Sequence, residues 1–525
     1  MNRREADLFH KDPSRTRRRA LVFARSWEQI ALFSEPWWEV KTEAAAYATV
    51  TNVGAAPLVV DLDGTLVATD TLWEQILVFL RRNPFGVFSL IVWAFAGKAQ
   101  FKQKLSARAS LDVENLPYRT DFLDWLRAEK LSGRSILLAT GADSAIASAV
   151  AAQLRLFDGV IASDGKASAT GDTKSRMIAE TLSGQPFDYA GNAMIDVRVW
   201  RHSQNAIVVA PDRGVLAALR RQNIVVTQTF VAPNAGVPGW AKALRIHQWV
   251  KNLLIFTPLL TSHRIFDLPG LAHAACGFFV FSLVASSTYL INDLLDLPAD
   301  RRHVTKRNRP LAAGLIPIPT AILAALLLLS GAALFSFWLP WPAAALVFGY
   351  AASTLLYSLV LKRLLMVDVV ALALFYTARL MYGGLVTSIE ISIWTLAFCA
   401  FSFSSLAAVK RINDLAKANL QGLDSLPHRA YQAQDLNALV ALAASTSNIA
   451  VLVLILYINS QQGEKLYRHP QFLWAMCVPL LYWFSRILLL ANRGKLADDP
   501  ILFATKDRAT YLVFALMALI TIAAT

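Results

Sequence analysis

The hydrophobic rhythm of the chain changes near residue 240. Between residues 57 and about 230, short β-branched apolar runs alternate with stretches of helical period, which predicts a parallel sheet covered by helices. Strands are expected at 58–61, 135–140, 159–163, 187–191 and 206–210. After about residue 250, apolar runs of close to twenty residues recur to the end, the length a bilayer-spanning helix requires. Nine spans are expected, roughly 250–263, 271–292, 319–339, 342–361, 366–387, 391–409, 437–458, 473–491 and 509–524. Between the two regimes, proline and glycine at 233–239 interrupt both periods and predict a flexible linker. The expected organisation is a basic arm (1–56), an α/β domain (57–230), a linker (231–240) and an all-α polytopic membrane domain (241–525). Residues 67–118 separate the first two strands and are expected to form a helical cap. Within it the apolar stretch 84–96 is short for a span and predicts either an interfacial helix or a buried cap helix.

Composition supports this division, since 55% hydrophobic residues and a mean hydropathy of +0.42 exclude an ordinary soluble enzyme. Charge orients the spans. The loops expected inside carry Arg301, Arg302, Lys306, Arg307 and Arg309, then Lys362 and Arg363, then Lys410, Arg411, Lys417 and Arg429, then Arg493, Lys495, Lys506 and Arg508. The opposite side has only Arg264, Lys465 and Arg468, so an integral protein of the bacterial inner-membrane type is expected, with the α/β domain and both sites facing the cytoplasm. The net charge of +14 then mostly reports topology and requires no nucleic-acid partner. Cys276, Cys399 and Cys477 fall inside apolar spans without metal-site spacing, and the basic N-terminus lacks an apolar signal core.

Two acidic motifs carry candidate chemistry. Asn292, Asp293, Asp296 and Asp300 follow helical steps at the end of an apolar span, beside Arg301, Arg302, Lys306, Arg307 and Arg309. Such a face can hold Mg2+, the metal can hold a diphosphate, and the cations behind it can neutralise the same phosphates. A solvated topology signal would need the cations but no spaced carboxylates. In the α/β half, the first strand delivers Asp61-Leu62-Asp63-Gly64, two carboxylates across a sharp turn that can share Mg2+ while one attacks phosphorus and the other moves protons. Alone, that tetrapeptide reads equally well as a surface turn.

Further motifs break the tie. Asp61-Leu62-Asp63-Gly64, Thr140, Lys174 and Gly191-Asn192-Ala193-Met194-Ile195-Asp196, in that order, resemble the haloacid dehalogenase-like (HAD) phosphatases. The resemblance implies a Rossmann-like α/β fold with a cap, Asp61 as nucleophile, Asp63 as acid/base, Thr140 and Lys174 on phosphate, and Asn192 and Asp196 among the Mg2+ ligands. Asn192 stands where an aspartate is usual, which removes a charge from the metal site.

Residues 240–525 are similar to the UbiA superfamily of intramembrane prenyltransferases. Gln248-Trp249-Val250-Lys251-Asn252, the Asn292–Asp300 motif and Lys306-Arg307-Asn308-Arg309-Pro310 are closer to its phosphoribosyl branch. Lys410-Arg411-Ile412-Asn413-Asp414 stands where most members carry a second acidic motif. The branch implies transfer of 5-phosphoribose from 5-phosphoribosyl diphosphate to a polyprenyl phosphate, as in cell-envelope biosynthesis. It also implies Asn292, Asp293, Asp296 and Asp300 on Mg2+, with Lys251, Lys306 and Arg309 on the diphosphate. Gln248 and Asn252 would contact the donor, and Lys362 and Arg411 the acceptor phosphate; interface marking explains these four equally well. Arg379, inside a span, suggests a polar cavity. The product would carry a 5-phosphate for the HAD-like domain to remove. The alternatives are a conventional transferase that prenylates an aromatic acceptor, and an α/β domain that only docks or regulates.

Overall fold

The computed structural model describes residues 56–525 apart from 96, 164–168, 427–428, 462–465 and 497–498. The expected basic arm therefore lies almost wholly outside the described residues. Six parallel strands form one sheet: β1 (Leu58–Val60), β2 (Ile136–Asp143), β3 (Gly159–Ser163), β4 (Asp188–Gly191), β5 (Ala206–Val209) and β6 (Val226–Phe230). Their order is β3-β2-β1-β4-β5-β6, with Val60 in register with Leu138 on one side and Ala190 on the other. Leu58 and Val60 enter one buried core with Ile136 and Leu138, whereas Val59 enters the opposite core with Leu137, Tyr189 and Trp200. A central strand buried on both faces is why this segment reads as an unbroken apolar run. The strand order reverses between β1 and β4, the place where open α/β sheets bind ligands beyond the strand ends. The sixth strand was not expected from the sequence; its alternating exposure marks an edge strand.

Between β1 and β2 the chain forms α1 (Thr71–Arg82), α2 (Val87–Phe95) and α3 (Lys98–Ser106). Asp70 caps α1 by accepting the N–H groups of Leu72 (2.9 Å) and Trp73 (3.4 Å). None of the α2 residues is buried, and Phe85, Phe88 and Phe95 are 84%, 68% and 88% exposed, so the buried-helix alternative for this stretch is not realised.

Seven helices among the described residues are long and apolar enough to cross a membrane: Leu268–Leu295 (α5 below), Ile318–Ser336, Trp341–Leu359, Val367–Thr387, Ile393–Leu420, Ala433–Ile458 and Pro470–Asn492. The other two expected spans are shorter. Arg508–Ala524 has 17 residues, and 250–263 is broken into a 3-10 helix, Ile246–Phe256, and a short α-helix, Thr257–Thr261. The 3-10 geometry has a packing reason. Trp249 Nε1 donates to Ser286 Oγ (3.0 Å) and Asn252 Nδ2 donates to Ser282 Oγ (2.9 Å). Three 3-10 residues and four α-residues both rise about 6 Å, so the two ladders stay in step.

The expected flexible linker is also revised. Gly236–Ala243 is helical, with Pro238 in its first turn, and Ala235 and Ala243 enter a buried core with Leu77 of α1 and Leu290, Leu294, Leu297 and Leu311 of the membrane domain. Apolar burial holds this segment to both halves.

Candidate active sites

Asp61 and Asp63 follow β1, and Asn192 and Asp196 follow β4, on either side of the point where strand order reverses. Gly64 has φ +75°, and a Cβ there would lie 2.4 Å from Asn192 Nδ2, so only glycine lets the Asp-x-Asp turn approach β4 this closely. Thr65 Oγ1 donates to Asn192 Oδ1 (3.1 Å) across the same contact. Lys174, near the start of α4 (Gly171–Thr181), places Nζ 2.7 Å from Asp61 Oδ1, 3.7 Å from Asp196 Oδ1 and 3.0 Å from the Tyr189 hydroxyl. The Thr140 hydroxyl is buried and accepts the Ala142 N–H (3.0 Å). Asp63 Oδ1 accepts the Thr71 N–H (2.8 Å), which joins this turn to the first residue of α1.

Asp196, expected among the metal ligands, is hydrogen-bonded through both carboxylate oxygens. One oxygen accepts the Tyr189 hydroxyl (2.8 Å), and the other accepts the N–H groups of Asn192 (3.1 Å) and Ala193 (2.9 Å). Its carboxylate is used in holding the loop and Lys174. Burial pushes the Asp61 carboxyl up to about 6 against the pull of Lys174, and burial with Asp70 and Asp61 nearby pushes Asp63 up to about 7. Burial draws the Lys174 ammonium down, but Asp61 and Asp196 outweigh it and leave it raised. A carboxyl titrating near neutrality is suited to giving and taking a proton. Among the described residues, no three His, Cys, Asp or Glu side chains converge as metal ligands. Mg2+ needs only one or two carboxylates when water and substrate oxygens complete its shell, and the buried Asp61 and half-buried Asp63, two neighbouring like charges, with the Asn192 oxygen fit that requirement.

The second site forms where α5 (Leu268–Leu295) ends and a short helix, Leu297–Arg302, begins. The break at Asp296 divides the acids. Asp293 Oδ1 meets Arg245 Nη2 (2.5 Å) and Arg309 Nη1 (3.1 Å), and Arg309 Nη1 also meets Asp300 Oδ2 (2.5 Å). Asp296 pairs with Lys362 Nζ (3.0 Å) and with Arg81 Nη2 (3.2 Å) of α1. A helix C-terminus is already the negative end of a dipole, so carboxylates there require these cations. Asn292 Oδ1 is buried and has no hydrogen-bond partner. An orphaned carboxamide oxygen one turn before Asp296 suits a hard cation that takes oxygen ligands, so Asn292, Asp293 and Asp296 fit Mg2+.

The other sequence-derived residues divide. Lys306 is exposed and close in charge to Asp300 and Asp296. The Gln248 side chain meets the His247 ring (3.0 Å). Lys251 pairs with Asp499 (2.6 Å), which Lys410 (3.3 Å) and the Tyr376 hydroxyl (3.3 Å) also reach. Asn252 Oδ1 accepts Arg379 Nε (2.9 Å), and Arg379 also donates to the Phe375 carbonyl (2.5 Å) and the Tyr350 hydroxyl (2.8 Å). Arg379 is thus spent on fixing helices to one another. Arg411 is likewise held, by Asp368 (2.6 Å) and Asp414 (2.8 Å), in a cluster with Arg429 and Tyr431. Neither arginine stands open to a phosphate, the role expected of Arg411. Sequence reasoning missed Arg245, Asp368, Asp499, Glu74 and Arg81. Arg245 adjoins the Gln-Trp motif and could have been found there, whereas Asp499 lies 248 residues from its partner and gives no local signal.

The two halves meet through α1. Arg301 Nη1 and Nη2 donate to Glu74 (3.0 and 2.7 Å), with Glu74 2% and Arg301 9% exposed. Arg302 pairs with Asp112 (2.6 Å). Gly314, at φ +71°, passes so close to Ala68 that a Cβ would lie 2.5 Å from its carbonyl oxygen.

Residues 253–505 match the UbiA prenyltransferase family. The chain is 33% identical over 464 residues to the uncharacterized protein y4nM of Sinorhizobium fredii, covering 88% of this chain and 90% of that one, so the relative shares both halves. It is 38% identical over 207 residues to decaprenyl-phosphate phosphoribosyltransferase of Mycobacterium tuberculosis, covering 38% of this chain and 66% of that enzyme. A HAD family hydrolase of Salmonella enterica is a structural neighbour at 15% identity over 33% of this chain and 68% of that one, with a TM-score of 0.24. The α/β assignment rests on its own motifs and sheet rather than on that likeness. The membrane half is therefore a domain of the UbiA prenyltransferase family, resembling decaprenyl-phosphate phosphoribosyltransferase and preceded by an α/β domain in the same polypeptide.

Proposed function

We propose that the membrane domain transfers 5-phosphoribose from 5-phosphoribosyl diphosphate to a polyprenyl phosphate at the cytoplasmic face, and that the α/β domain removes the 5-phosphate of the lipid product. The observation that carries the first part is the end of α5, where the orphaned Asn292 oxygen stands beside Asp293 and Asp296 within a ring formed by Arg245, Arg309, Lys362 and Arg81. Bound Mg2+ would supply charge stabilisation to the departing diphosphate. Arg309, Arg245 and Lys306 would take charge from the same group, which is where negative charge accumulates in the transition state. A phosphate oxygen of the lipid forms the new bond to the ribose anomeric carbon as the bond from that carbon to diphosphate breaks. The likeness to the mycobacterial enzyme favours this donor and acceptor over a prenyl diphosphate and an aromatic acid.

In the α/β domain, Asp61 would attack the phosphomonoester while Lys174 offsets the phosphoryl charge and Asp63 protonates the departing ribose oxygen, then accepts a proton from the water that opens the aspartyl phosphate. A second reading, in which this domain only docks, draws support from Asn192 in place of an acid and from the buried Glu74–Arg301 pair. Membranes holding this chain and no other phosphatase, supplied with radiolabelled 5-phosphoribosyl diphosphate and polyprenyl phosphate, test both steps. A phosphoribosyl lipid supports the transfer, and its absence refutes it. Asp61→Asn should make the 5-phosphorylated lipid accumulate; an unchanged ratio of phosphorylated to dephosphorylated lipid leaves the docking reading.

A further inference from the structure

Arg81 belongs to α1 of the α/β domain, well before the stretch that matches the membrane family, yet it enters the acidic site of the membrane domain. Its Nη1 donates to the Leu295 carbonyl (2.9 Å) and its Nη2 lies 3.2 Å from Asp296 Oδ1. A small cavity of about 20 Å³ is lined by Arg81, Asn292, Asp296, Ser358 and Arg363. It has room for about one water and brings together side chains from both halves. The guanidinium has five N–H groups, and these two contacts leave the fork incompletely used. We propose that Arg81 is a diphosphate-binding residue of the membrane site, supplied by the α/β domain, so that the donor is held most tightly while that domain is docked. This inference deepens the proposed transfer and rests on it for the identity of the donor.

An exchange of partners follows from the charges. Arg81 neutralises Asp296. With Asp296 committed to a divalent cation, Arg81 would lose its anion, and a diphosphate would offer a new one through a pair of oxygens that suits a guanidinium fork. Lys362, the other partner of Asp296, shifts in the same sense. Glu74, two turns back along α1, accepts Arg301 of the membrane domain, and this pair fixes the approach of Arg81.

The test uses the full-length chain in detergent and inorganic diphosphate with Mg2+ as the probe, binding being measured by calorimetry. Asp293→Asn identifies the portion of the signal that belongs to the membrane site. Arg81→Ala should weaken that portion about 10- to 100-fold, the loss of a charge-assisted contact, and Arg81→Lys should recover part of it. In transfer assays Arg81→Ala should raise the donor KM and leave the acceptor KM unchanged, a split that general loss of structure would not give. Hydrogen exchange in α1 reports whether the variant remains docked, and if it does not, comparing Arg81→Lys with the parent decides. Diphosphate affinity in Arg81→Ala equal to that of the parent overturns the inference whatever the transfer result. Arg81-dependent diphosphate binding without any phosphoribosyl lipid refutes the proposed transfer and leaves the inference standing.

Discussion

Replacing Glu74 by glutamine keeps the side-chain volume but removes the charge that neutralises Arg301 in a pair only 2% and 9% exposed. The carboxylate accepts two guanidinium N–H groups (3.0 and 2.7 Å) and the Thr69 hydroxyl (2.6 Å), while Arg301 also donates to the Ala312 carbonyl (3.0 Å). Breaking a buried pair by deleting one partner costs about 3–5 kcal/mol, because the other charge stays buried without compensation. Undocking α1 lets water reach Arg301, so the penalty falls on the docked state and lowers its equilibrium constant about a hundred- to several-thousand-fold. Hydrogen exchange by mass spectrometry on the solubilised chain reads this directly: amides of Thr71–Arg82 and of Leu297–Arg302 should exchange faster in Glu74→Gln, while the sheet strands keep their protection. Replacing both partners by methionine should recover most of the protection, since the apolar pair carries no desolvation penalty. Exchange in both helices within a factor of two of the parent would refute the claim that this pair holds the halves together.

Asp293→Asn and Asp296→Asn should each abolish lipid phosphoribosylation while membrane insertion persists, as shown by extraction with detergent but not with carbonate; near-normal product from both variants would remove the site from this region. Carboxyls raised to about 6 and 7 in Asp61 and Asp63 bind protons that the unfolded chain has released, so without Mg2+ the stability of the α/β domain should fall as pH rises from about 4 to 7. Mg2+ should reverse the loss most strongly above pH 7, and Asp63→Asn should flatten the slope in a fluorescence melt. Phe88→Trp, at a position 68% exposed on α2, should fold normally and be quenched by brominated lipid in vesicles; emission insensitive to the bromine would place α2 away from the bilayer.

What the sequence made legible follows the range over which each signal acts. The central strands show because burial on both faces demands consecutive apolar residues, and the acids at the end of β1 show because they stand at a strand-to-turn boundary that glycine marks. The sixth strand was lost because an edge strand needs only one apolar face, and Val226-Thr227-Gln228-Thr229-Phe230 lies just before a segment rich in proline and glycine. Residues 250–263 counted as a span because hydropathy does not distinguish a 3-10 from an α-helix; the distinction comes from the Ser282 and Ser286 ladder on α5. The acidic motif gave its metal candidates but not their counter-ions. Arg81, Lys362 and Arg245 come from three separate segments, and their meeting at the end of α5 is a tertiary fact that leaves no local spacing.

The same tertiary facts bear on why both chemistries share one chain. Asp63 accepts the N–H of the first residue of α1, and Arg81, in its last turn, meets Asp296. A helix of 12 residues is about 18 Å long, so one rigid element bears on both acidic centres, with the Glu74–Arg301 pair between them. On the proposed chemistry, a polyprenyl product cannot leave the bilayer, so its ribose phosphate explores only a shallow layer at the cytoplasmic surface. A freely diffusing phosphatase would meet that layer rarely, whereas a domain docked at the rim of the transferase site meets each product at the local concentration set by the dock. The docking contacts then carry a functional load separate from stability: a variant that releases α1 leaves both sets of catalytic side chains intact but separates their reactions. Such a chain should still form phosphoribosyl lipid, with a raised donor requirement, and should lag in removing the phosphate.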